Sequence, residues 1–487
     1  MRVENTKRWP RKNNFGKLLL SAFLTLGCVA PAIILPTPTT VPTPTTTSTQ
    51  TTVPASRTPT SSATMAPTPT ITPSPSATPI PTAMLPIKPL RQAGPWLLFW
   101  GQAGLYAMNP DGTGQTLVYK LDPKTYRRTS SVSPTGGHFA FIEGDPNPVL
   151  VVVSLPDGNV LKKIVVTNPN VSQVDAPDVG DSDWSPDGKQ LAFISAVNGI
   201  SADLFLFSTT TNEITRLTDA PTQSAVPIWS PDGKYIFNIG VLTFGTGAGW
   251  NVESNWVTDT NGESKHLSTQ GDSAFWISSH ELITYESMCN GNYQYINVDT
   301  GETKVIIEPG VCLIGFSRNP FDGNYIASLH QDFQTKTRTY TAGTYLIRAS
   351  TWRRISDKSG GVTWSSRAGL YFVKTDPYDL QNHEVIAFHE NGTPADLPFN
   401  ITGFPTISED ESTWAWSDDQ GIYVGLPTGR MKKVFDRTAN IVWQADSNNL
   451  ILCTLFDGIY VVNSPDYVPA LVSTASCDTD LLDLVHP

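Results

Sequence analysis

Two aspartates in this sequence have the spacing that acid–base or metal chemistry would need. Asp181 and Asp183 precede Trp184, and residues at i and i+2 of a β-strand point to the same side. Such a carboxylate pair, with Asp272 ahead of Trp276 as a further candidate, can transfer protons or hold a metal ion. The competing interpretation is that these carboxylates cap strand ends and accept backbone hydrogen bonds. The sequence favours this second interpretation because no other catalytic group accompanies the pair.

A second candidate for chemistry is the glycine-rich segment of residues 241–256, which contains Trp250 and Trp256. Its glycines predict a mobile loop between two strands. Exposed aromatic side chains on such a loop are typical contacts for proteins or sugars. The alternative is that both tryptophans pack beneath the loop. If a ligand binds, we predict that Trp250, Trp256, Asp181 and Asp183 contact it.

The sequence offers no motif for catalysis or for a cofactor. Hydrolases with a nucleophile elbow carry G-x-S-x-G, and the nearest approach, residues 271–275 (GDSAF), lacks the second glycine. The seven histidines are scattered, and no CxxC occurs. We expect no catalytic residue, cofactor or metal site, which favours a chain that is not an enzyme.

A recurring phrase indicates the elements that must position these residues. WSPDGK begins at Trp184 and again at Trp229, each time followed by an apolar run. More degenerate copies begin at Val132, Trp276, Phe316, Trp364, Ile407 and Trp443. The mean spacing of about 44 residues, with four short strands per unit, is typical of a β-propeller blade. Two packed sandwiches would also supply many strands, but they do not explain a phrase that returns at a fixed period.

Local chemistry supports four-stranded blades. In Ser-Pro-Asp-Gly, Pro sets φ near −65° at the second turn position and Gly accepts positive φ at the fourth. This turn links strand a to strand b, and the aromatic residue before it is expected to be buried where blades stack. Asp-Gly and Asn-Gly pairs, as at Asp111 and Asn261, suit tight hairpins between strands c and d.

The ends of the repeat array predict how the ring closes. Residues 96–121 supply strands b, c and d without a preceding anchor phrase, and an open ring would expose strand edges. The tail, residues 480–485, reads as the missing strand a. The fold class is therefore all-β, a single propeller of eight or nine four-stranded units over residues 87–487.

Four of the five cysteines fit the same register. Cys289 and Cys312 are 23 residues apart, and Cys453 and Cys477 are 24 apart. In an oxidising compartment each pair is expected to form a disulfide. The alternative is four separately buried thiols.

The N-terminal region indicates export. Six basic residues in the first 17 precede an uncharged apolar run, residues 18–35, which directs the chain to the export machinery. Cys28 after Gly27 resembles a bacterial lipobox and is the predicted lipidation site. A signal-anchor helix or a cleaved soluble form are the alternatives. Residues 1–35 are thus a signal peptide or anchor, and we expect the protein to be tethered to the outer face of the cell membrane.

Residues 36–86 form a spacer between anchor and propeller. This segment contains 18 Thr, 13 Pro and 6 Ser, with Arg57 its only charge. It has too little to bury to offset its ordering entropy, so we predict a disordered linker. At ~3.1 Å per residue in polyproline II geometry it would reach on the order of 100–150 Å.

Charge restricts the partners. The chain has a formal net charge of −11; setting aside the basic N-terminus (six basic residues, one Glu) and Arg57 leaves −17 for residues 87–487. A surface this acidic repels phosphate backbones, which argues against nucleic acid. The expected partners are an envelope or extracellular protein, a peptide or a glycan, and the membrane through the N-terminal anchor.

The WSPDGK phrase and the LYAMNPDG hairpin at residues 105–112 resemble the TolB-type, WD-like propeller repeat. TolB belongs to the cell-envelope Tol system, and similar repeats occur in prolyl-oligopeptidase-type peptidases, which carry a separate hydrolase domain. The resemblance implies a fold, not a function. We expect a non-catalytic binding or scaffold module; the alternative is a carbohydrate-active propeller enzyme, a lyase or glycosidase, with its site at the central channel.

Overall fold

The computed structural model describes residues 88–485, with gaps at residues 102, 123, 145–146, 168–179, 199–200, 220–221, 244–249, 268, 270, 287–290, 320–322, 337, 349–350, 376–383, 427–428, 445–446, 455–456 and 475–481. All regular elements in this part are strands. In chain order they are β1 (Trp96–Gly101), β2 (Gly104–Met108), β3 (Thr116–Lys120), β4 (Arg127–Val132), β5 (His138–Glu143), β6 (Val149–Ser154), β7 (Val160–Val165), β8 (Ser182–Trp184), β9 (Gln190–Ser195), β10 (Asp203–Ser208), β11 (Ile214–Arg216), β12 (Gln223–Trp229), β13 (Tyr235–Thr243), β14 (Trp250–Asp259), β15 (Ser264–Leu267), β16 (Ser273–Trp276), β17 (Glu281–Glu286), β18 (Gly291–Asn297), β19 (Thr303–Pro309), β20 (Gly315–Arg318), β21 (Tyr325–Leu329), β22 (Phe333–Gln334), β23 (Thr339–Tyr340), β24 (Gly343–Arg348), β25 (Thr351–Ser356), β26 (Gly360–Ser365), β27 (Leu370–Thr375), β28 (Val385–His389), β29 (Pro394–Ala395), β30 (Thr406–Ile407), β31 (Trp414–Asp418), β32 (Gly421–Gly425), β33 (Met431–Phe435), β34 (Asn440–Trp443), β35 (Leu450–Thr454), β36 (Gly458–Asn463), β37 (Val468–Ser473) and β38 (Leu482–Val485).

These strands form nine four-stranded antiparallel sheets, which we number as blades I to IX, with strands a to d in each. Blade I contains β38, β1, β2 and β3; blades II to V contain β4–β7, β8–β11, β12–β15 and β16–β19; blade VI contains β20, β21, β24 and β25; blades VII to IX contain β26–β29, β30–β33 and β34–β37. The hairpin of β22 and β23 is inserted in blade VI.

Burial orders the strands from axis to rim. Strands b and c supply most of the buried residues, whereas d strands expose residues such as Val160, Val305 and Val468. The a strands of several neighbouring blades contact one another, so they line the axis. This is a nine-bladed β-propeller, which confirms the predicted fold class at the upper blade count. The sandwich alternative is wrong.

The C-terminal strand closes the ring as predicted. Strand β38 pairs antiparallel with β1, with Trp96 opposite Val485 and Phe99 opposite Leu482. Blade I therefore combines strands from both ends of the array. Val485 is buried in the apolar cluster that blades I and II share.

The Ser-Pro-Asp-Gly turn is held by its own side chains. Ser185 Oγ donates to Asp187 Oδ1 over 2.7 Å and accepts the Gln190 N–H over 2.9 Å. Gly188, with φ of +69°, donates its N–H to the Ser185 carbonyl. The same pattern recurs around Ser230. The phrase thus encodes a complete a–b turn.

The anchor tryptophans join one blade to the next by hydrogen bonds as well as by burial. The indole N–H of Trp184 donates to the Ser131 carbonyl, that of Trp229 to the Asp183 carbonyl, and that of Trp276 to the Ile228 carbonyl. Each acceptor lies in strand a of the preceding blade.

Blade VI departs from the predicted register. Phe316 was expected to be its anchor, but Arg318 ends strand a there and its Nη1 lies 3.4 Å from the Ile277 carbonyl. Phe316 instead lies two residues nearer the start of the strand. The sequence did not reveal this shift, because Pro, Asp and Gly are not consecutive in the segment after Arg318.

Antiparallel order assigns the connections to two faces of the ring. Connections b–c and d–a lie at one end of the strands, which we call the upper face, and the a–b and c–d turns lie at the lower face. Within the described residues, the upper face carries two large insertions. In blade IV, β13 and β14 are lengthened to 9 and 10 residues, and in blade VI the hairpin of β22 and β23 lies between strands b and c.

Candidate functional site

Partly exposed aromatic rings meet a carboxylate where blades V and VI adjoin at the upper face. Strand a begins there, strand b ends there and strand c begins there, so the ends of several strands converge. Ser273 opens strand a of blade V and pairs with Tyr285 near the end of strand b. We define the blade V cluster as Asp272, Ser273, Phe275, Tyr285, Tyr293 and Phe316.

The rings form a continuous stack. Tyr285 and Tyr293 lie parallel, with centroids 5.1 Å apart and an interplanar angle of 12°. Tyr293 lies 4.4 Å from Phe316, and Phe316 lies 6.2 Å from Phe275. All four rings are partly exposed. Because Phe316 is also stacked on Tyr325 at 5.4 Å, the faces of the inner rings are covered, and the solvent-accessible part of the cluster is limited to its outer surface.

The hydroxyl ends of the tyrosines lie in a more desolvated environment than their rings. Burial raises the pKa of Tyr285, with a further contribution from the Asp272 charge, against the Ser273 hydrogen bond that lowers it. Burial also raises the pKa of Tyr293, as do the Tyr285 hydroxyl and Asp272. Both phenols therefore stay neutral at physiological pH, and Asp272 supplies the negative field of the cluster.

Neighbouring polar groups hold the backbone around these residues. Asn255 of blade IV donates its Nδ2–H to the Gly271 carbonyl over 2.8 Å, just before Asp272. Beyond Tyr285, Glu286 accepts from Asn292 Nδ2 over 2.6 Å. This bond joins the end of strand b to the start of strand c. The lengthened hairpin of blade IV and the inserted hairpin of blade VI are on the blades to either side.

These groups are suited to binding rather than to bond cleavage. The hydroxyl of Ser273 is hydrogen-bonded to Tyr285, whereas a serine nucleophile needs an adjacent base. A histidine–carboxylate pair does occur, His280 Nδ1 with Asp299 Oδ2 at 2.7 Å, but it lies on turns of the lower face. Within the described residues, no group of three or more His, Cys, Asp or Glu could hold a metal ion.

The predicted aspartates lie on blade III. Asp183 Oδ2 accepts the backbone N–H of Trp229 over 2.8 Å, so this carboxylate links blades III and IV. The Asp181 carbonyl accepts the N–H of Ile194. This contact is of the kind expected if the carboxylates cap strand ends and accept backbone hydrogen bonds.

The link through Asp183 predicts a pH-dependent stability. Burial raises the pKa of Asp183 to about 6, against hydrogen bonds from the Trp229 and Trp184 backbones that lower it. The pKa of an aspartate in the unfolded chain is about 3.9. The contribution of the protonated Asp183 carboxyl to folding stability is therefore complete below about pH 3.9 and is lost as the pH rises through about 6. We expect Asp183→Asn to abolish this dependence and to raise the free energy of unfolding at pH 7 by about 1–2 kcal/mol.

Urea unfolding at pH 4.5 and pH 7 measures the effect, with Asp122→Asn at an exposed turn as the control. The assignment is contradicted if the free energy of unfolding changes between pH 4.5 and pH 7 by the same amount in Asp183→Asn and in the unchanged protein.

The predicted mobile loop is largely a hairpin. Residues 241–243 belong to β13 and residues 250–256 to β14; residues 244–249 lie outside the described part. Trp256 is therefore a strand residue: its indole N–H donates to Ser254 Oγ over 2.7 Å, and its ring meets His266 edge-on at 4.9 Å. Trp250 pairs with Thr243. Pairing between strands b and c thus extends to Thr243 and Trp250, and the glycine-rich residues 244–249, on which the loop prediction depends, are outside the described part.

Other predicted residues fall partly outside the described chain. Cys312 and Cys453 are disulfide-bonded; Cys289 and Cys477 lie outside the described residues, so the pairing stays a prediction. Cys28, the apolar run and the linker also lie outside them. Among the residues that the structure describes, no helix has the length and apolarity that crossing a bilayer would require.

Sequence reasoning named Asp272 but missed its aromatic neighbours. Tyr285 and Tyr293 belong to no recurring phrase, and Phe316 was predicted to be a buried anchor residue. Their common signal is position, because each lies within three residues of a strand end at the upper face.

The chain was compared with known proteins. No protein-family model matches it. It is 40% identical over 79 residues to "Uncharacterized peptidase YuxL" of Bacillus subtilis (strain 168), a stretch equal to 16% of this chain and 11% of the relative. The match thus spans about a tenth of that relative's length.

Solved structures show the fold. A eukaryotic initiation factor superposes with a TM-score of 0.51 at 12% identity, covering 80% of this chain and 96% of that one. Dipeptidyl peptidase 4 of Porphyromonas gingivalis gives a TM-score of 0.45 at 13% identity, covering 75% and 65%. The nine blades themselves confirm the predicted propeller fold.

The match to a peptidase overturns two expectations. A non-catalytic binding or scaffold module, and a chain that is not an enzyme, are contradicted by a relative named as a peptidase. The expectations were wrong because they were drawn from the propeller repeats, whose residues determine turns and blade packing. The lack of G-x-S-x-G in such repeats therefore says nothing about whether the protein works in hydrolysis.

Proposed function

We propose that this chain works in peptide hydrolysis, as a peptidase-type propeller that receives peptide substrates at its upper face. The 40% identity over 79 residues to a protein named as a peptidase carries the proposal. The blade V cluster supports it, since partly exposed aromatic side chains near a carboxylate, Asp272, suit side chains of a peptide.

In this proposal the cluster binds substrate and a hydrolase unit supplies the nucleophile. Ser273 is hydrogen-bonded to a tyrosine, which is a poor activating base. Prolyl-oligopeptidase-type peptidases, whose propellers have similar repeats, use a G-x-S-x-G serine for this step. The propeller would admit and select peptides for that serine.

The place of action belongs to the same proposal. The basic N-terminus and apolar run support export, and Cys28 lipidation or a signal anchor would hold the chain at the outer face of the membrane. Residues 36–86 would serve as the spacer, and disulfides Cys289–Cys312 and Cys453–Cys477 would suit an oxidising compartment. Peptides outside the cell membrane are then the accessible substrates.

A gene deletion tests the proposal. Intact cells that make the protein, deletion cells and complemented cells are each incubated with a defined mixture of synthetic peptides, and new termini are followed by mass spectrometry. We expect hydrolysis of a subset of the peptides to disappear with the gene and to return on complementation. Equal hydrolysis of every peptide with and without the gene would overturn the proposal.

A further inference from the structure

We propose that the outer rim of blades I and II binds the anionic lipid surface of the membrane to which the chain is tethered. The inference rests on the place of action in the proposed function and goes beyond it, because it names the part of the propeller that contacts lipid. Exposed apolar side chains, the distribution of charge and the position of the N-terminal chain support it.

The outermost strands of these two blades expose apolar side chains together with lysines. In β3, Leu117 is 39% exposed, and in β7, Val160 and Val165 are 46% and 47% exposed. Tyr126, which follows β3, is 55% exposed. Grouped apolar side chains at a surface mark a contact site, and together with lysine and tyrosine they suit the boundary between water and lipid. We define the rim patch as Leu117, Lys120, Lys124, Tyr126, Val160 and Val165.

Contacts between blades I and II make the rim patch one surface. Gly158, just before β7, lies against β3, since a β-carbon there would be 1.8 Å from the Val118 carbonyl oxygen. Farther along the rim, Tyr119 of blade I donates its hydroxyl to Glu143 of blade II over 2.9 Å. Lys163 of β7 pairs with the same carboxylate over 2.7 Å. The strands β3 and β7 therefore adjoin along the rim.

The charge of this part of the chain is opposite to that of the rest. Residues 88–165 contain eight Lys or Arg and five Asp or Glu, a net charge of +3, and this count includes the exposed Asp122 and Asp157. Residues 166–487 contain 18 basic and 38 acidic residues, a net charge of −20. Charges beyond a Debye length, ~8 Å at physiological ionic strength, are largely screened. An anionic surface at the rim patch is therefore attracted by the local positive charge more than it is repelled by the distant blades.

The N-terminal chain joins the propeller next to this surface. Residues 88–91 lie on the c–d turn of blade I, where Asn109 donates to the Pro89 carbonyl over 2.9 Å and accepts the Arg91 N–H over 3.0 Å. This turn leads directly into β3 and the rim patch. An anchor before residue 88 would thus attach the propeller to the membrane beside the rim patch, and tethering raises the effective concentration of lipid there. The position of the tether favours lipid over a second copy of the chain as the partner.

Lysine acetylation of the full chain on vesicles tests the inference. The chain is bound through its own N-terminal region to vesicles of phosphatidylcholine alone or of equal parts phosphatidylcholine and phosphatidylglycerol, and brief acetylation is followed by mass spectrometry. We expect Lys120 and Lys124 to react about threefold to tenfold more slowly on the anionic vesicles, and the difference to disappear at high salt. Lys304, beside the exposed Val305 on strand d of blade V, is the internal control and should react at the same rate on both.

A matched pair of double variants assigns the protection to the rim patch. Lys120→Glu with Val165→Ser is expected to restore most of the reactivity of Lys124 on the anionic vesicles. Lys304→Glu with Val305→Ser makes the same changes on blade V and should leave the protection of Lys124 unchanged. All four side chains are exposed, and thermal melting checks that both variants fold. The comparison of the two kinds of vesicle in the unchanged protein is decisive even if a variant unfolds.

Equal reaction of Lys120 and Lys124 on the two kinds of vesicle would overturn the inference. Protection that also occurs on phosphatidylcholine alone and grows with protein density would overturn it too, because that result indicates contact between copies of the chain. Failure of the chain to float with either vesicle removes the proposed anchor together with the rim contact. Flotation with equal reactivity removes only the rim contact, and gene-dependent hydrolysis tests the peptidase role separately.

Discussion

Truncation after residue 474 is expected to open the ring and to lower the free energy of unfolding by about 5 kcal/mol. The truncation removes β38, so four residues of β1, from Trp96 to Phe99, lose their pairing partners. The buried side chain of Val485 is lost as well. The exposed edge of β1 also becomes a template for pairing with another chain.

Urea unfolding followed by tryptophan fluorescence measures the loss, and size-exclusion chromatography measures association. A chain that lacks only residues 486–487 is the control. Because the truncation also removes Cys477, Leu484→Pro in the full chain tests the pairing alone: Leu484 pairs with Leu97, and proline cannot donate to a ladder. A truncated chain as stable as the control would contradict closure by β38.

Gly421→Ala is expected to cost about 3–5 kcal/mol of stability. Strand c begins with a glycine at positive φ in five blades, at Gly104, Gly291, Gly343, Gly421 and Gly458. A β-carbon at residue 421 would lie 2.1 Å from the Phe435 carbonyl oxygen of strand d. Strand c cannot move away from this oxygen without loss of pairing, because it is paired on both sides.

Gly429→Ala is the matched control for this substitution. Gly429 has φ of +75°, yet a β-carbon there would meet nothing within 4 Å. We expect it to cost only about 1 kcal/mol, from backbone strain alone. Chemical denaturation of both variants separates the two causes. Similar losses would show that backbone conformation, rather than the close approach of strand d, explains the glycine.

The blades and the candidate site depend on different kinds of contact. Each blade is stabilised by short-range contacts that recur from blade to blade, whereas the contacts of the blade V cluster do not recur. Every a–b turn of the Ser-Pro-Asp-Gly kind is closed by residues within five positions of each other. The blade V cluster instead combines strands a, b and c of blade V with strand a of blade VI. Its geometry therefore depends on the correct packing of two neighbouring blades.

The amino-acid sequence by itself determined the blades, the ring and its closure. The signals were local or periodic: a turn phrase, hairpin pairs such as Asn261-Gly262, and a tail at the spacing of an a strand. Such signals depend on the backbone preferences of a few adjacent residues, which are visible without tertiary contacts.

Only the tertiary structure decided which side chains meet. Asp183 was paired with Asp181 in sequence, but its partner is the backbone of Trp229, 46 residues away. Phe316 joins Tyr293 because Arg318 takes the anchor position of blade VI. Trp256 was predicted to lie in a loop, but it belongs to a strand that is paired on both sides, opposite Asn238 and His266. In each case the outcome depends on contacts between strands or blades, and these contacts form between residues whose separation along the chain carries no local signal.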